Sequence, residues 1–349
     1  MKKGISIYPI EDNLDKYINY IKDAKVNNFD YIFMSLHIPE ANQKYFENFE
    51  KILQFCFTNN MKVIVDIAKE YFEKFNFKTM NLYGIRLDYG FTISDIKKIA
   101  KNNQFKIYLN ASTINVEDIQ SLLKAKLEMG VFHNFYPKPY SGLSYDDFKK
   151  KNEFFKSHNL EILSFACSKF EPRFPLFQGL VTIEAHRNKN SLIQFQELWK
   201  LNSDIVCFGD TQASIKEMQL INSSLKNINE DVFIPIKIDH KLTDEERKIL
   251  FARHKIRPDK SEFLIRSETS RTNFNNLEIK ENNVIQDIQD FDLTIDNKNY
   301  PRYKNELQIW LKPYLQNNNW TNLICNLKEA QFLLTNTSYK YINFLEIKD

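Results

Sequence analysis

Short apolar runs and longer segments of helical period alternate through the first two-thirds of the chain. The runs are Gly4–Tyr8, Tyr31–Leu36, Lys62–Ile67, Tyr83–Leu87, Phe105–Leu109, Val131–Tyr136, Glu161–Ala166 and Ile205–Phe208. Between them lie segments whose apolar residues recur every three or four positions, such as Asn13–Asn28, Gln43–Asn60, Ile93–Asn102, Val116–Met129, Tyr145–His158 and Ser191–Leu201. Strand followed by helix, repeated eight times, predicts parallel pairing through crossover helices, and that number of units suits a closed (β/α)8 TIM barrel. A doubly wound dinucleotide-binding sheet is the alternative. It needs a glycine-rich loop after its first strand, and here Tyr8 is followed by Pro9-Ile10-Glu11-Asp12-Asn13. Ser94, Asn115 and Ser214 are the expected N-caps of helices that follow strands.

After about residue 230 the pattern changes. Short runs at Val232–Ile238, Glu262–Arg266, Leu293–Ile295, Glu306–Leu311 and Tyr341–Ile347 alternate with polar, turn-forming stretches, which predicts a smaller, mostly β domain. The expected division is a barrel over residues 1–230 and a β domain over 231–349.

Composition narrows the function. The chain has 48 basic against 45 acidic residues, and a net charge of +3 is too small for a nucleic-acid footprint, so any anion site must be local. No apolar run reaches the length of a membrane span, and the N-terminus enters a strand pattern without a signal-peptide core. The expected location is the cytoplasm. Cys56, Cys167, Cys207 and Cys325 lie far apart with no C-x-x-C pair and read as reduced core residues.

In a barrel of this kind the working residues sit where strands end and loops begin. Polar groups recur there: Ser35-Leu36-His37-Ile38-Pro39-Glu40 after the second strand, Asp66 in the third, Arg86-Leu87-Asp88 in the fourth, Asn110 in the fifth and His133-Asn134-Phe135-Tyr136 in the sixth. Glu184-Ala185-His186-Arg187 follows the seventh and Asp210 the eighth. Glu40, Asp66, Asp88, Glu184 and Asp210 are thus expected near one mouth. Paired carboxylates suit glycoside cleavage, one protonating the leaving oxygen while another meets positive charge at the anomeric carbon. Each acid taken singly is equally an ion-pair partner for Arg86 or Arg187. A metal hydrolase is the next reading, but His37, His133 and His186 are separated and no H-x-H or H-E-x-x-H occurs, so no metal or other cofactor is expected. Ser or Cys nucleophile chemistry lacks a G-x-S-x-G elbow. Tyr136 and Tyr140 lie in a proline-stiffened loop where ring faces can hold a sugar. In the β domain, Arg266-Ser267-Glu268-Thr269-Ser270-Arg271 places two forked donors around hydroxyls, a combination suited to phosphate or carboxylate.

The order Gly4-Ile5-Ser6-Ile7-Tyr8, Val63-Ile64-Val65-Asp66, Gly84-Ile85-Arg86-Leu87-Asp88, His133-Asn134-Phe135-Tyr136-Pro137-x-Pro139-Tyr140-x-Gly142-Leu143-Ser144 and Glu184-x-His186-Arg187 resembles the bacterial 6-phospho-N-acetylmuramidases, glycoside hydrolase family 170. The likeness continues through Ile265-Arg266-Ser267 and Arg302-Tyr303-Lys304-x-Glu306-Leu307-Gln308. One departure stands at Gly209-Asp210, where the family pattern has Gly-Asn. The resemblance implies a TIM barrel followed by a cyclophilin-like β domain. It also implies a cytosolic enzyme of cell-wall recycling that cleaves the β-1,4 bond of 6-phospho-N-acetylmuramyl-N-acetylglucosamine. On that basis Asp66, Asp88 and Glu184 are the expected catalytic acids. Glu40, Arg86, Asn110, His133, Asn134, Tyr136, His186, Arg187, Arg266 and Arg271 are expected to contact the phosphorylated muramyl disaccharide. The substrate's 2-acetamido group can itself attack the anomeric carbon, with one carboxylate orienting it. The rival of another class is a non-catalytic barrel that captures a phosphosugar.

Overall fold

The computed structural model describes residues 1–282, 287–314 and 319–347. The chain divides into two compact units, Met1–Ser223 and Ser224–Asp349.

The first unit is a closed barrel of eight parallel strands in sequence order. They are β1 (Lys2–Ser6), β2 (Tyr31–Ser35), β3 (Lys62–Ile67), β4 (Gly84–Leu87), β5 (Lys106–Asn110), β6 (Met129–Phe132), β7 (Glu161–Ala166) and β8 (Ile205–Phe208). Helices α1 (Leu14–Val26), α2 (Gln43–Thr58), α3 (Lys69–Phe72), α4 (Ile93–Asn102), α5 (Val116–Lys124), α6 (Tyr145–Ser157), α7 (Ser191–Lys200) and α8 (Ile215–Ser224) follow the strands in turn. The predicted sixth strand ran four residues too far. After Phe132 the chain leaves the ladder and turns over the mouth, where Tyr136 bridges Val181. The cap of α4 is Thr92, not Ser94: its hydroxyl accepts from Asp95 N while the Asp95 carboxylate accepts from Thr92 N, a reciprocal pair that Ser94 has no residue to complete. Asn115 caps α5, and Ser214 Oγ accepts from Glu217 N at 3.2 Å.

Strand alternation sends every second side chain inward, so the barrel fills in layers. Phe33, Phe132 and Phe165 pack ring on ring at 4.8–5.3 Å between centroids and close the interior beneath the mouth. Below them the Tyr108 ring fits because its neighbours are glycines. A Cβ on Gly84 or Gly130 would come within 2.5 Å of that ring. The hydroxyl of Tyr108 reaches Glu161 Oε2 at 2.6 Å. The floor is therefore sealed, and the same alternation carries Ser35, Asp66, Arg86 and Asn110 into the layer above the phenylalanines.

The second unit holds a three-stranded sheet in the order β10 (His254–Lys255), β15 (Tyr341–Glu346), β9 (Asp231–Ile236). It also holds an antiparallel four-stranded sheet in the order β11 (Leu264–Arg266), β13 (Leu307–Trp310), β12 (Asp292–Asp296), β14 (Thr321–Asn326). Strand β14 has no counterpart among the apolar runs read from the sequence. Two of its buried positions are Thr321 and Asn322, and Asn322 is satisfied by Glu246 and the Lys280 carbonyl, so the hydrophobic alternation is faint.

Candidate active site

A cavity of about 420 Å³ opens at the strand ends of the barrel. Its wall includes Tyr8, Ser35, His37, Glu40, Asp66, Arg86, Asp88, Asn134, Phe135, Arg173, Phe174 and Gln178. Register builds its centre. Ser35 stands opposite Asp66 across β2 and β3, and Asp66 opposite Arg86 across β3 and β4. Arg86 Nη1 donates to Asp66 Oδ1 at 2.5 Å and lies 3.0 Å from Asp88 Oδ1. Its Nη2 donates to Asn134 Oδ1 and its Nε to the Phe132 carbonyl. With its forked donors so engaged, Arg86 braces the carboxylates more than it awaits a ligand.

His37 joins the same pair. Its Nε2 is 3.3 Å from Asp88 Oδ2 and 3.7 Å from Asp66 Oδ2. Asn110 Nδ2 donates to Asp88 Oδ1 at 2.7 Å, and its own carbonyl oxygen accepts from Ser112 N. These surroundings drive the two acids apart. Burial dominates at Asp66 and raises its pKa above the ordinary aspartate value, with Asp88 adding to the rise against Arg86 and His37. Burial is also the largest influence at Asp88 and acts upward, but His37, Arg86 and Asn110 together outweigh it and leave that carboxyl below its ordinary value. At His37 the order is the same: burial lowers, while the Asp88 hydrogen bond and the Asp66 charge prevail and raise it. One acid that tends to keep its proton beside one that tends to lose it is an acid/base arrangement.

Donor atoms of His37, Asp66 and Asp88 all lie within 4.8 Å of one another, a spacing that a divalent ion can also use. Here Arg86 Nη1 already sits against both carboxylates, so the local positive charge is supplied by the chain itself.

The structure does not bring Glu184 into this group. Its carboxylate is saturated: Oε1 accepts from Tyr140 N and Arg187 Nε, and Oε2 from Gly142 N and Arg187 Nη2, at 2.7–2.8 Å. Arg187, with those two backbone N–H groups, holds it down at about 2 despite partial burial, which makes it a poor proton donor. Arg187 in turn donates to the carbonyls of Gln178, Gly179 and Tyr136. The pair staples the loop of residues 136–142. A Cβ at Gly142 would meet the Glu184 backbone and carboxylate at 2.8 Å, so only glycine fits there.

Other expected contacts also lie off the cavity wall. His133 is wholly buried with Nε2 2.7 Å from Asn152 Oδ1, and His186 is wholly buried with Nε2 2.9 Å from Glu197 Oε2. Neither ring lines the cavity. The Tyr136 hydroxyl donates to Ser112 Oγ, and Tyr140 is 94% exposed; the aromatic residues on the cavity are Tyr8, Phe33, Phe135, Phe165 and Phe174 instead. Asp210, at the departure from the family pattern, is buried and accepts from the N–H groups of Ser168, Arg173 and Leu180. It fastens the loop after β7. Arg266 and Arg271 belong to the second unit, where Arg266 binds Asp259 and Arg271 the Arg302 carbonyl.

Sequence reading passed over Arg173, and weighed His37 only as a metal ligand. The Arg173 guanidinium lies 3.8 Å over the Tyr8 ring and donates to Glu40 Oε2 at 3.4 Å. Its signal was an arginine between prolines in a long loop after a strand, Pro172-Arg173-Phe174-Pro175.

Against known families, residues 3–223 match the N-terminal region of 6-phospho-N-acetylmuramidase, and residues 232–342 match its C-terminal region. The chain belongs to the 6-phospho-N-acetylmuramidase family. It is accordingly a glycoside hydrolase acting on phosphorylated muramyl substrates. Two crystal structures are similar over 99% of the chain. One is a conserved protein of unknown function from Enterococcus faecalis, with 26% identity, TM-score 0.78 and 96% of its own length covered. The other is an uncharacterised protein from B. cereus, with 28% identity, TM-score 0.79 and 99% covered. No match is found among curated proteins. Within the family reading, the long stretch from His133 to Ser144 gains a physical meaning: His133 ties β6 to α6, Asn134 meets Arg86, Phe135 walls the cavity, Gly142 admits Glu184 and Ser144 caps α6.

Proposed function

We propose that the barrel cavity hydrolyses the β-1,4 bond of 6-phospho-N-acetylmuramyl-N-acetylglucosamine, releasing N-acetylmuramic acid 6-phosphate and N-acetylglucosamine for cell-wall recycling in the cytoplasm. The observation that carries this is the Asp66–Asp88 pair, held by one guanidinium and pushed in opposite directions of protonation.

Asp66, the acid favoured to retain its proton, protonates the leaving glycosidic oxygen. Asp88, the anion, faces the positive charge that develops at the anomeric carbon, either attacking it or holding the 2-acetamido group that does. One oxygen of each lies within 4.8 Å of the other, a spacing closer to that of retaining enzymes (carboxyl groups about 5–5.5 Å apart) than to that of inverting ones (about 6.5–9.5 Å). Phe135 and Phe174 offer faces to the sugar ring, and Phe174 is exposed enough, at 58%, to receive it. Arg173 anchors the phosphate or the lactyl carboxylate: its side chain has one long hydrogen bond, to Glu40, among the described residues, so further donors remain.

Incubation of the purified chain with the phosphorylated disaccharide, with and without chelator, followed by mass spectrometry, tests the reading. Both products should appear, with chelator making no difference. Recovery of intact, bound disaccharide would favour a capture protein, and loss of turnover with chelator would favour a metal hydrolase.

A further inference from the structure

The second unit contains a cavity of its own, about 360 Å³, whose lining residues all belong to that unit. Its wall is aromatic. Trp310 and Tyr314 stack at 5.1 Å and 6°, and Tyr300 packs against Trp320 at 4.8 Å. The Trp310 ring is fixed by a hydrogen bond from Nε1 to Thr294 Oγ1 at 2.9 Å, so this face is preformed.

The same cavity holds a polar group with an unmet need. Glu306 lines the cavity with its side chain 3% exposed, and its Oε1 has no hydrogen-bond partner. A buried carboxylate oxygen in that state costs free energy unless something supplies a donor. Asp296, beside it, accepts from Gln308 Nε2 at 2.9 Å, and Arg266 completes the polar side.

We propose that this cavity is a second saccharide site, taking a pyranose ring on the Trp310 and Trp320 wall with its hydroxyl or amide hydrogens donated to Glu306 and Asp296. Sugars present an apolar C–H face and a polar edge, and a cavity lined by aromatic rings together with a few fixed polar groups offers partners for both. Burial raises both carboxyls, Asp296 to about 8 with Glu306 contributing, so the pair can accept from one hydroxyl and donate to another. An ammonium ligand is the competing occupant of aromatic walls with carboxylates. The chain already supplies cations here: Arg271 lies 4.0 Å from Glu306 and over the Tyr303 ring, which leaves a neutral ligand better suited.

Two of the three tryptophans line this cavity, and the third, Trp199, ends α7 of the barrel. Tryptophan emission therefore reports on the site. The full chain carrying Asp88→Asn, to prevent turnover, is titrated with N-acetylglucosamine and with its β-1,4-linked disaccharide, and binding is repeated by calorimetry. A saturable emission change is expected. Glu306→Gln should weaken it by at least about tenfold, the loss of one hydrogen bond to a charged group, and Trp320→Ala, at a 40% exposed ring, should do likewise without altering the melting temperature. In otherwise wild-type protein the same two variants should turn over the phosphorylated disaccharide normally. No saturable change with either sugar, a change that both variants leave intact, or a response to tetramethylammonium alone would overturn the proposal.

Discussion

Asp66 and Arg86 stand opposite each other across the β3–β4 ladder, with Arg86 Nη1 2.5 Å from Asp66 Oδ1 and both side chains buried. The same nitrogen lies 3.0 Å from Asp88, so a single guanidinium bridges two carboxyl groups at the barrel mouth. Removing one partner of such a group leaves the other charge unpaired. Arg86→Met should destabilise the chain by about 3–5 kcal/mol in chemical unfolding. Adding Asp66→Asn should recover part of that loss. Equal stabilities for wild type and the single variant would mean that the ion pair is not made.

Under the proposed function the two aspartates and Glu184 have different duties, and substitution separates them. Asp66→Asn and Asp88→Asn should each lower kcat by about a hundredfold or more, the usual share of a positioned acid or base. Glu184→Gln loses the anion that binds Arg187 but keeps an acceptor for the loop. Its main effect should be a lower melting temperature and a higher KM, with kcat within about tenfold of wild type. A kcat for Glu184→Gln as low as that of Asp88→Asn would return Glu184 to the chemistry.

The pH profile follows from the same surroundings. Under the proposed function activity requires Asp88 ionised and Asp66 protonated, so kcat/KM should rise through a pKa below the ordinary aspartate value and fall through one above it. His37 lowers both acids. His37→Gln removes its hydrogen bond to Asp88 and its positive charge near Asp66, so both limbs should move to higher pH. Limbs that stay in place would show that His37 does not set these protonation states.

Arg173 is the expected anion anchor. Arg173→Met keeps the packing on Tyr8 but removes the donors, and should raise KM for the phosphorylated disaccharide by about ten- to a hundredfold. With the dephosphorylated disaccharide the two proteins should differ little. Equal losses on both substrates would detach Arg173 from phosphate.

The barrel was legible because its strands, buried on both faces, read as short continuous apolar runs while the helices between them repeat at about 3.6. Strand ends also marked the positions of Asp66, Arg86, Asp88 and Asn110, since register alone carries them to the mouth. What position along the chain does not show is who satisfies whom. Glu184 sits after β7 like a catalytic acid, but Arg187, three residues on, and two backbone N–H groups from a distant loop consume its oxygens. His133 and His186 are likewise claimed by Asn152 and Glu197, partners brought from α6 and α7 by packing. Arg173 was missed for the converse reason: its loop has no period, and only the folded barrel lays it across Tyr8.

The most direct test of the account is proton NMR of the first-formed N-acetylmuramic acid 6-phosphate as the β-1,4 bond is cut, run beside Asp88→Asn. Asp66 and Asp88 oxygens within 4.8 Å predict the β-anomer, with net retention, and no product from the variant. An α-anomer as first product, or normal turnover by Asp88→Asn, would contradict the assignment of these two carboxylates.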